Sequence, residues 1–540
     1  MSHVTKNHDS KLNRIMALAV LMPPIALIAG CPTTPTQPTP PTTLNEKSVV
    51  IHDPAALAGP FAFSKTMNQI VATAGGSPTT SASMLRSMLD TLSQGAFVHP
   101  VSGKSIPVTP RVLEPSISAA DLLNPGSPDG MTPVGLFNRF DLAPADGSNC
   151  GEFRIVYAKR TGGPLDRMTM IFEARVPNPY PSQGIAGCAP IMDFWAARSA
   201  DTSLAQTIYE LEKLYYQGIP GVAPIVKAEN YGMPLGQLRV NLFKTPDPSR
   251  IRWSLREFLV NFDNSGRAIF KEAPVDDSPT AELFRAASSV FNSTEKTEFR
   301  GNFLGKPLCN LVNPDRVNSS ASSAAIINGI GAGFPNKFDD FESISQGDDD
   351  NPANNSEVAL QDSVQTRLAS LPGLSGIAPI QAMNRAGAMT CGGCHEFSRG
   401  KDLGKGAIWP ASLGFVHINE AGALSPLLND VFVPRRIEIA TQFATRHTAF
   451  HDPEMPCPGL VSTLAEVPVT TVPSPRARDL YKNVDTIRGR IQEIIGAPGI
   501  SANRSDRIGA ELSLLKQAID SARKEETGMP GAFTPVRRSH

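Results

Sequence analysis

Alternation of apolar and polar positions marks four stretches between residues 134 and 260: Phe153-Arg154-Ile155-Val156-Tyr157, Met168 to Ala174, Leu238 to Phe243 and Ile251 to Val260. Successive side chains of a strand point to opposite faces, so a period of two rich in β-branched and aromatic residues predicts sheet strands. The apolar period lengthens to that of a helix in Ser83 to Leu92, where Met84, Leu85, Met88 and Leu92 share a face, and again in Thr202 to Tyr216. Glu357 to Leu371 and Ile377 to Met389 have helical spacing, with a break at Pro372-Gly373. Arg476 to Ile495 and Arg504 to Glu526 form two amphipathic stretches around Gly496-Ala497-Pro498-Gly499, the pattern of a helical hairpin over 474–528. Residues 310–357 carry no period and read as loop. The pattern predicts an α+β fold: a sheet-containing body over 44–356, a mainly helical segment over 357–460, and the C-terminal hairpin.

One apolar stretch differs in character. Ile15 to Ala29 is almost uninterrupted, follows Lys11 and Arg14, contains Pro23-Pro24, and closes on Ile28-Ala29-Gly30-Cys31. Its length, about 15 residues, falls short of the roughly 20 that a helix needs to cross a bilayer. A basic start, a short apolar centre and small residues at a cut describe a secretory signal. The Ala-Gly-Cys ending resembles the lipobox of bacterial lipoproteins. That resemblance implies a signal peptide over 1–30, lipid on Cys31, and a membrane-anchored protein of the cell envelope. Several acyl chains together give stable anchoring. Pro32, where an Asp would imply inner-membrane retention, leans toward the outer membrane. The alternative is an ordinary signal peptide with an incidental cysteine. Pro32 to Thr43 is Pro and Thr with a single Gln, so 31–43 reads as a semi-rigid tether.

Charge narrows the partners. Fifty Lys and Arg balance 51 Asp and Glu, which leaves no basic footprint for nucleic acid. Cysteine usage then depends on compartment. In an exported chain cysteines usually pair, and Cys150, Cys188, Cys309 and Cys457 permit three pairings. Cys150–Cys188 with Cys309–Cys457 is the expected set, because the first two lie close in sequence beside strand patterns.

The remaining two cysteines sit in Cys391-Gly392-Gly393-Cys394-His395. C-x-x-C-H is the attachment signature for c-type haem, and in a chain of this Cys and His content a chance match is expected on the order of 10⁻³ times. Two thiols at this spacing reach the two vinyl groups on one edge of the porphyrin, and the next residue swings an imidazole beneath the iron. Here the chain resembles c-type cytochromes, strictly over the five-residue motif and loosely over 381–460. The resemblance implies one covalent haem c on Cys391 and Cys394, with His395 as the proximal iron ligand. It also implies electron transfer with a redox partner protein. Two other readings of the motif are a disulfide, with or without redox activity, and a zinc site, which would need further close ligands.

The distal ligand stays open between Met455, beside Pro456, and His417, with His447, His451 and an open iron also considered. Haem-free accounts of the same residues are loop packing for Met455, a strand-end surface position for His417 and a helix cap for His447. An open distal site would suit a haem enzyme of the peroxidase or oxygenase kind. A haem-free surface-binding lipoprotein is the reading from a third class. Other chemistry is thin. Asp348-Asp349-Asp350 lacks the Gly and Glu of an EF-hand loop and reads as solvated. Gly329-Ile330-Gly331-Ala332-Gly333 lacks the third glycine of a dinucleotide fingerprint and reads as a turn. Arg154, Arg239, Arg252 and Arg256 lie in strand patterns and line either a polar groove or a solvated sheet face.

Overall fold

The computed structural model describes residues 44–448 except 99–104, 161–165, 233–234, 245–252, 276–280, 285–291, 313–321, 332–355, 357 and 372–375. Cys31, Arg252, Asp348 to Asp350, His451, Met455, Cys457 and the expected hairpin over 474–528 lie outside the described residues. The fold is α+β. Its centre is a seven-stranded antiparallel sheet whose strands lie side by side in chain order. They are β1 (Val50–Ile51), β2 (Met131–Arg139), β3 (Asn149–Lys159), β4 (Asp166–Pro177), β5 (Gln237–Lys244), β6 (Ser254–Phe262) and β7 (Ala268–Ala273). Each alternating stretch of the sequence maps onto a strand, the last of them beginning at Ser254, with Trp253 just ahead of it.

Register assigns the side chains to two faces. Leu136, Ile155, Phe172, Leu238 and Phe258 stand in one cross-strand row, and all five are buried. Helices α1 (Phe63–Ala74), α2 (Ser81–Thr91), α3 (Ala189–Ala197) and α4 (Leu204–Tyr216) contribute to the same core. Phe63 of α1 meets Tyr157 and Phe172 edge-on at ring-centre distances of 5.0 and 6.1 Å. Trp195 of α3 lies 6.4 Å from Phe153. Thr66 Oγ1 shares hydrogen bonds of 2.6 Å with the buried hydroxyls of both Tyr157 and Tyr216. Side chains provide the helix starts, with Thr80 and Ser83 forming a capping box on α2 and Ser203 accepting from Gln206 N on α4.

Later helices join this core instead of forming one of their own. It includes Leu44 at one end of the described chain and Phe443 at the other. Helices α5 (Ser323–Gly329), α6 (Val358–Ala369), α7 (Pro379–Ala388) and α8 (Val433–Arg446) all contribute to it. The short α5 falls in the region expected to be loop. It has one cap, Ser322 Oγ accepting from Ala325 N at 3.2 Å, and two buried residues, Ile326 and Ile327. A helix this short has too few turns to display a period.

Cys150 and Cys188 form the expected disulfide, Cα–Cα 5.5 Å, fastening β3 to the turn before α3. Cys309 is also in a disulfide; Cys457, its expected partner, is outside the described residues. Among the described residues no helix is long and apolar enough to cross a membrane.

The second face of the sheet departs from the solvated reading of its arginines. Glu152 and Glu173 are buried, and Arg154 and Arg239 are largely so. They form ion pairs across four strands: Arg154 with Glu152 at 2.6 Å and Glu173 at 3.1 Å, Arg239 with Glu173 at 3.4 Å and Glu257 at 3.0 Å. Arg256 points to the other side and pairs with Glu272 at 3.2 Å. The segment over 390–420, which carries the Cys-x-x-Cys-His motif, packs against this face, where Asn241 Nδ2 donates to the Phe415 carbonyl at 2.7 Å.

Candidate functional site

The motif is built onto the end of α7. Thr390, buried just past the helix, returns its hydroxyl to Gly387 O at 2.8 Å and accepts from Gly393 N at 2.9 Å; its carbonyl accepts from Cys394 N at 2.9 Å. Gly393 to Phe397 then form a π-helical turn, a form common at functional sites. The second glycine of the motif is sterically required. A Cβ at Gly393 would stand 1.8 Å from Gly387 O, so only glycine lets the turn lie this close to the helix.

His395 is held through one nitrogen. Its Nδ1 lies 2.9 Å from the carbonyl oxygen of Phe415, which can only accept, so Nδ1 carries the proton and Nε2 of the neutral ring keeps its lone pair. The same carbonyl accepts from Asn241 Nδ2 of β5 at 2.7 Å, so the sheet fixes the carbonyl that orients the imidazole. Burial pushes the His395 pKa down to about 4, opposed by the Phe415 carbonyl and reinforced by Arg239. The ring is therefore neutral at ordinary pH and available as a metal ligand.

The loop carrying Phe415 is clamped by Arg167 of β4, which donates to the carbonyls of Leu413 and Gly414 at 3.1 and 2.5 Å and pairs with Glu420 at 2.7 Å. Two residues beyond Phe415, His417 comes back over the motif. Its ring centre lies 4.9 Å from that of His395. Its Nδ1 is 3.0 Å from Ser425 Oγ, and its Nε2 is 3.3 Å from Cys394 Sγ. Both imidazoles are thus anchored at Nδ1, as metal-ligating histidines almost always are. Gly135 of β2 makes room for this loop: a Cβ there would lie 2.8 Å from Ile418 Cδ1.

Cys391 and Cys394 are both buried thiols. Cys391 packs with Trp253, Leu255 and Val275 in a small apolar cluster with Phe415 against it. Burial and the neighbouring Cys391 push the Cys394 pKa well up, with Arg139 and Arg436 opposing. A thiol held protonated is a poor nucleophile for disulfide exchange. Trp253 lies with its ring centre 5.2 Å from that of His395 and 5.6 Å from that of Phe415. Its indole Nε1 is buried with no hydrogen-bond partner among the described residues.

The donor set fits haem c. It offers two thiols at the attachment spacing, one imidazole whose tautomer is fixed, a second imidazole alongside, and an orphaned indole N–H next to them. Among the described residues no three His, Cys, Asp or Glu side chains converge to hold a metal ion unaided. Two imidazoles would suit an iron that is already held in a macrocycle.

The structure brings together Cys391, Cys394, His395 and His417 of the residues singled out from sequence. His447 lies away from them. It is the C-cap of α8, in the left-handed region at φ 49°, with Nε2 3.3 Å from Asp193. Asn241, Ser425, Trp253 and Arg167 carry no motif signal. Each acts on a residue far off in the chain, a relation that spacing does not display. No family model matches the chain, and no curated protein or solved structure matches it.

Proposed function

We propose that the protein is an exported, lipid-anchored electron-transfer protein of the cell envelope that carries one covalent haem c. Cys391 and Cys394 hold the group by thioether bonds, and His395 and His417 are its two axial ligands. The observation that carries this reading is the pair of imidazoles, ring centres 4.9 Å apart beside the attachment cysteines, each with Nδ1 engaged; His395 keeps its Nε2 lone pair, and His417 Nε2 faces Cys394 Sγ at 3.3 Å. When bound, haem supplies a one-electron couple, and two imidazoles set a lower potential than an imidazole and a thioether. The chain's own residues orient and enclose. Phe415 O fixes the tautomer of His395, Asn241 holds that carbonyl, and Ser425 holds His417. Trp253, Leu255 and Phe415 keep water from the ligand side.

Two histidine ligands would leave the iron closed to substrate, which favours electron transfer over the peroxidase or oxygenase alternative. The lipid anchor on Cys31 rests on the sequence, and envelope export agrees with the disulfide Cys150–Cys188.

Carbon monoxide tests the ligand pair. The reduced protein should be low-spin and unreactive toward carbon monoxide, and His417→Ala should bind it with a Soret shift. A wild-type protein that binds carbon monoxide readily would overturn the assignment of His417 and return the enzyme reading.

A further inference from the structure

Beside the buried charged layer lies a guanidinium that makes no hydrogen bond among the described residues. Arg436, on α8, is 6 % exposed. Its nearest carboxylate oxygen, Asp141 Oδ1, stands 3.8 Å from Nε. That carboxylate is already taken by Arg139, which donates to it from Nε at 3.0 and 3.2 Å and from Nη2 at 2.9 Å. The Phe432 ring lies 5.9 Å from the guanidinium carbon. Burial disfavours the charge, and Arg139 and Arg154 add positive charge nearby, against Asp141 and Cys394. A guanidinium has five donors and cannot shed its proton in a protein, so a buried one requires a counter-charge.

Space for that counter-charge adjoins it. Arg436 borders a cavity of about 20 Å³ walled by Ile327, Ile330, Phe432 and Ile439, with Asn328, Arg435 and the Arg139-paired carboxylate of Asp141 at its polar edge. About 10–15 Å³ is enough for one water. The cavity therefore suits a monatomic ion or a water and is too small for phosphate or a carboxylic acid. Water would satisfy donors but leave the charge uncompensated. The apolar walls favour a weakly hydrated ion over one that demands many hydrogen bonds. Asn328 Nδ2 donates to Val431 O at 3.1 Å, which fixes the rim of the cavity to the turn before α8.

We propose that this cavity is a halide site, in which chloride sits against the Arg436 guanidinium as its counter-ion. The proposal stands on the cavity and the unserved cation and does not depend on haem.

The test uses the full exported chain, with unfolding midpoints compared in sodium chloride and in sodium gluconate at equal ionic strength, since gluconate cannot enter. Chloride at tenfold excess over its dissociation constant should raise the midpoint by about 2 °C beyond gluconate. Arg436→Gln should remove the difference. Arg436→Lys guards against a misfolded arginine variant: it keeps a cation at the cavity, so the folded protein should retain a chloride response. Equal midpoints for wild type in the two salts would overturn the proposal. So would an Arg436→Gln protein that folds and responds to chloride as wild type does. A bromide-soaked crystal should show an anomalous peak at the Arg436 donors, and water alone at that position would also overturn it.

Discussion

The central sheet is buried on both faces, but by opposite means. On one face the rows are Leu136, Ile155, Phe172, Leu238 and Phe258, met by aromatic side chains from α1, α3 and α4. On the other they include Glu152, Arg154, Glu173, Arg239 and Glu257, met by the motif segment and its loop. Apolar burial stabilises in proportion to area and needs no particular partner. Buried ion pairs add little net stability, because desolvation offsets the attraction, but they fix geometry and are costly to break from one side. The apolar face therefore makes the fold, and the charged face serves as a shaped seat on which Cys391, Cys394, His395 and His417 are positioned.

Single substitutions on each face sharpen that contrast. Phe172→Ala removes a fully buried ring in contact with Phe63, Tyr157 and Tyr231. It should cost about 3–5 kcal/mol in denaturant unfolding while leaving the ligand spectrum of any folded protein unchanged. Glu173→Gln leaves Arg154 and Arg239 short of their shared carboxylate. A loss of about 3 kcal/mol is expected, and with it a shift in haem potential, because Arg239 lies in the field of Cys391 and His395. A loss well under 1 kcal/mol would mean that water reaches this face and that the contrast is false. Asn241→Ala removes one hydrogen bond to the Phe415 carbonyl. The expected cost is about 1 kcal/mol, with a change in the His395 ligand signals by paramagnetic NMR as the more sensitive readout.

The contrast also explains what was legible in the sequence. The strands over residues 153–260 showed themselves because their inward residues alternate with polar ones. The same alternation hid the second face. Arg154 and Arg239 look like solvent-facing residues until the acids that pair with them arrive from neighbouring strands. The five-residue motif named its own candidate chemistry, because attachment demands a fixed spacing. His417 was one candidate among several, since what brings it to His395 is a turn through Phe415, itself in the left-handed region at φ 62°, and the Arg167 clamp on the adjoining backbone. Neither leaves a periodic trace. Gly393 was legible as a glycine that eases the turn, but the near contact with Gly387 O that demands it belongs to the folded chain.

The central claim is covalent haem on Cys391 and Cys394, and a pyridine haemochrome spectrum of the denatured protein tests it most directly. After expression in a host that matures c-type cytochromes, the account predicts a c-type α band at one haem per chain that survives acid-acetone extraction. The band should be absent when both cysteines are replaced by serine. A wild-type chain that folds, exports and forms the Cys150–Cys188 disulfide in that host yet yields no such band would contradict it.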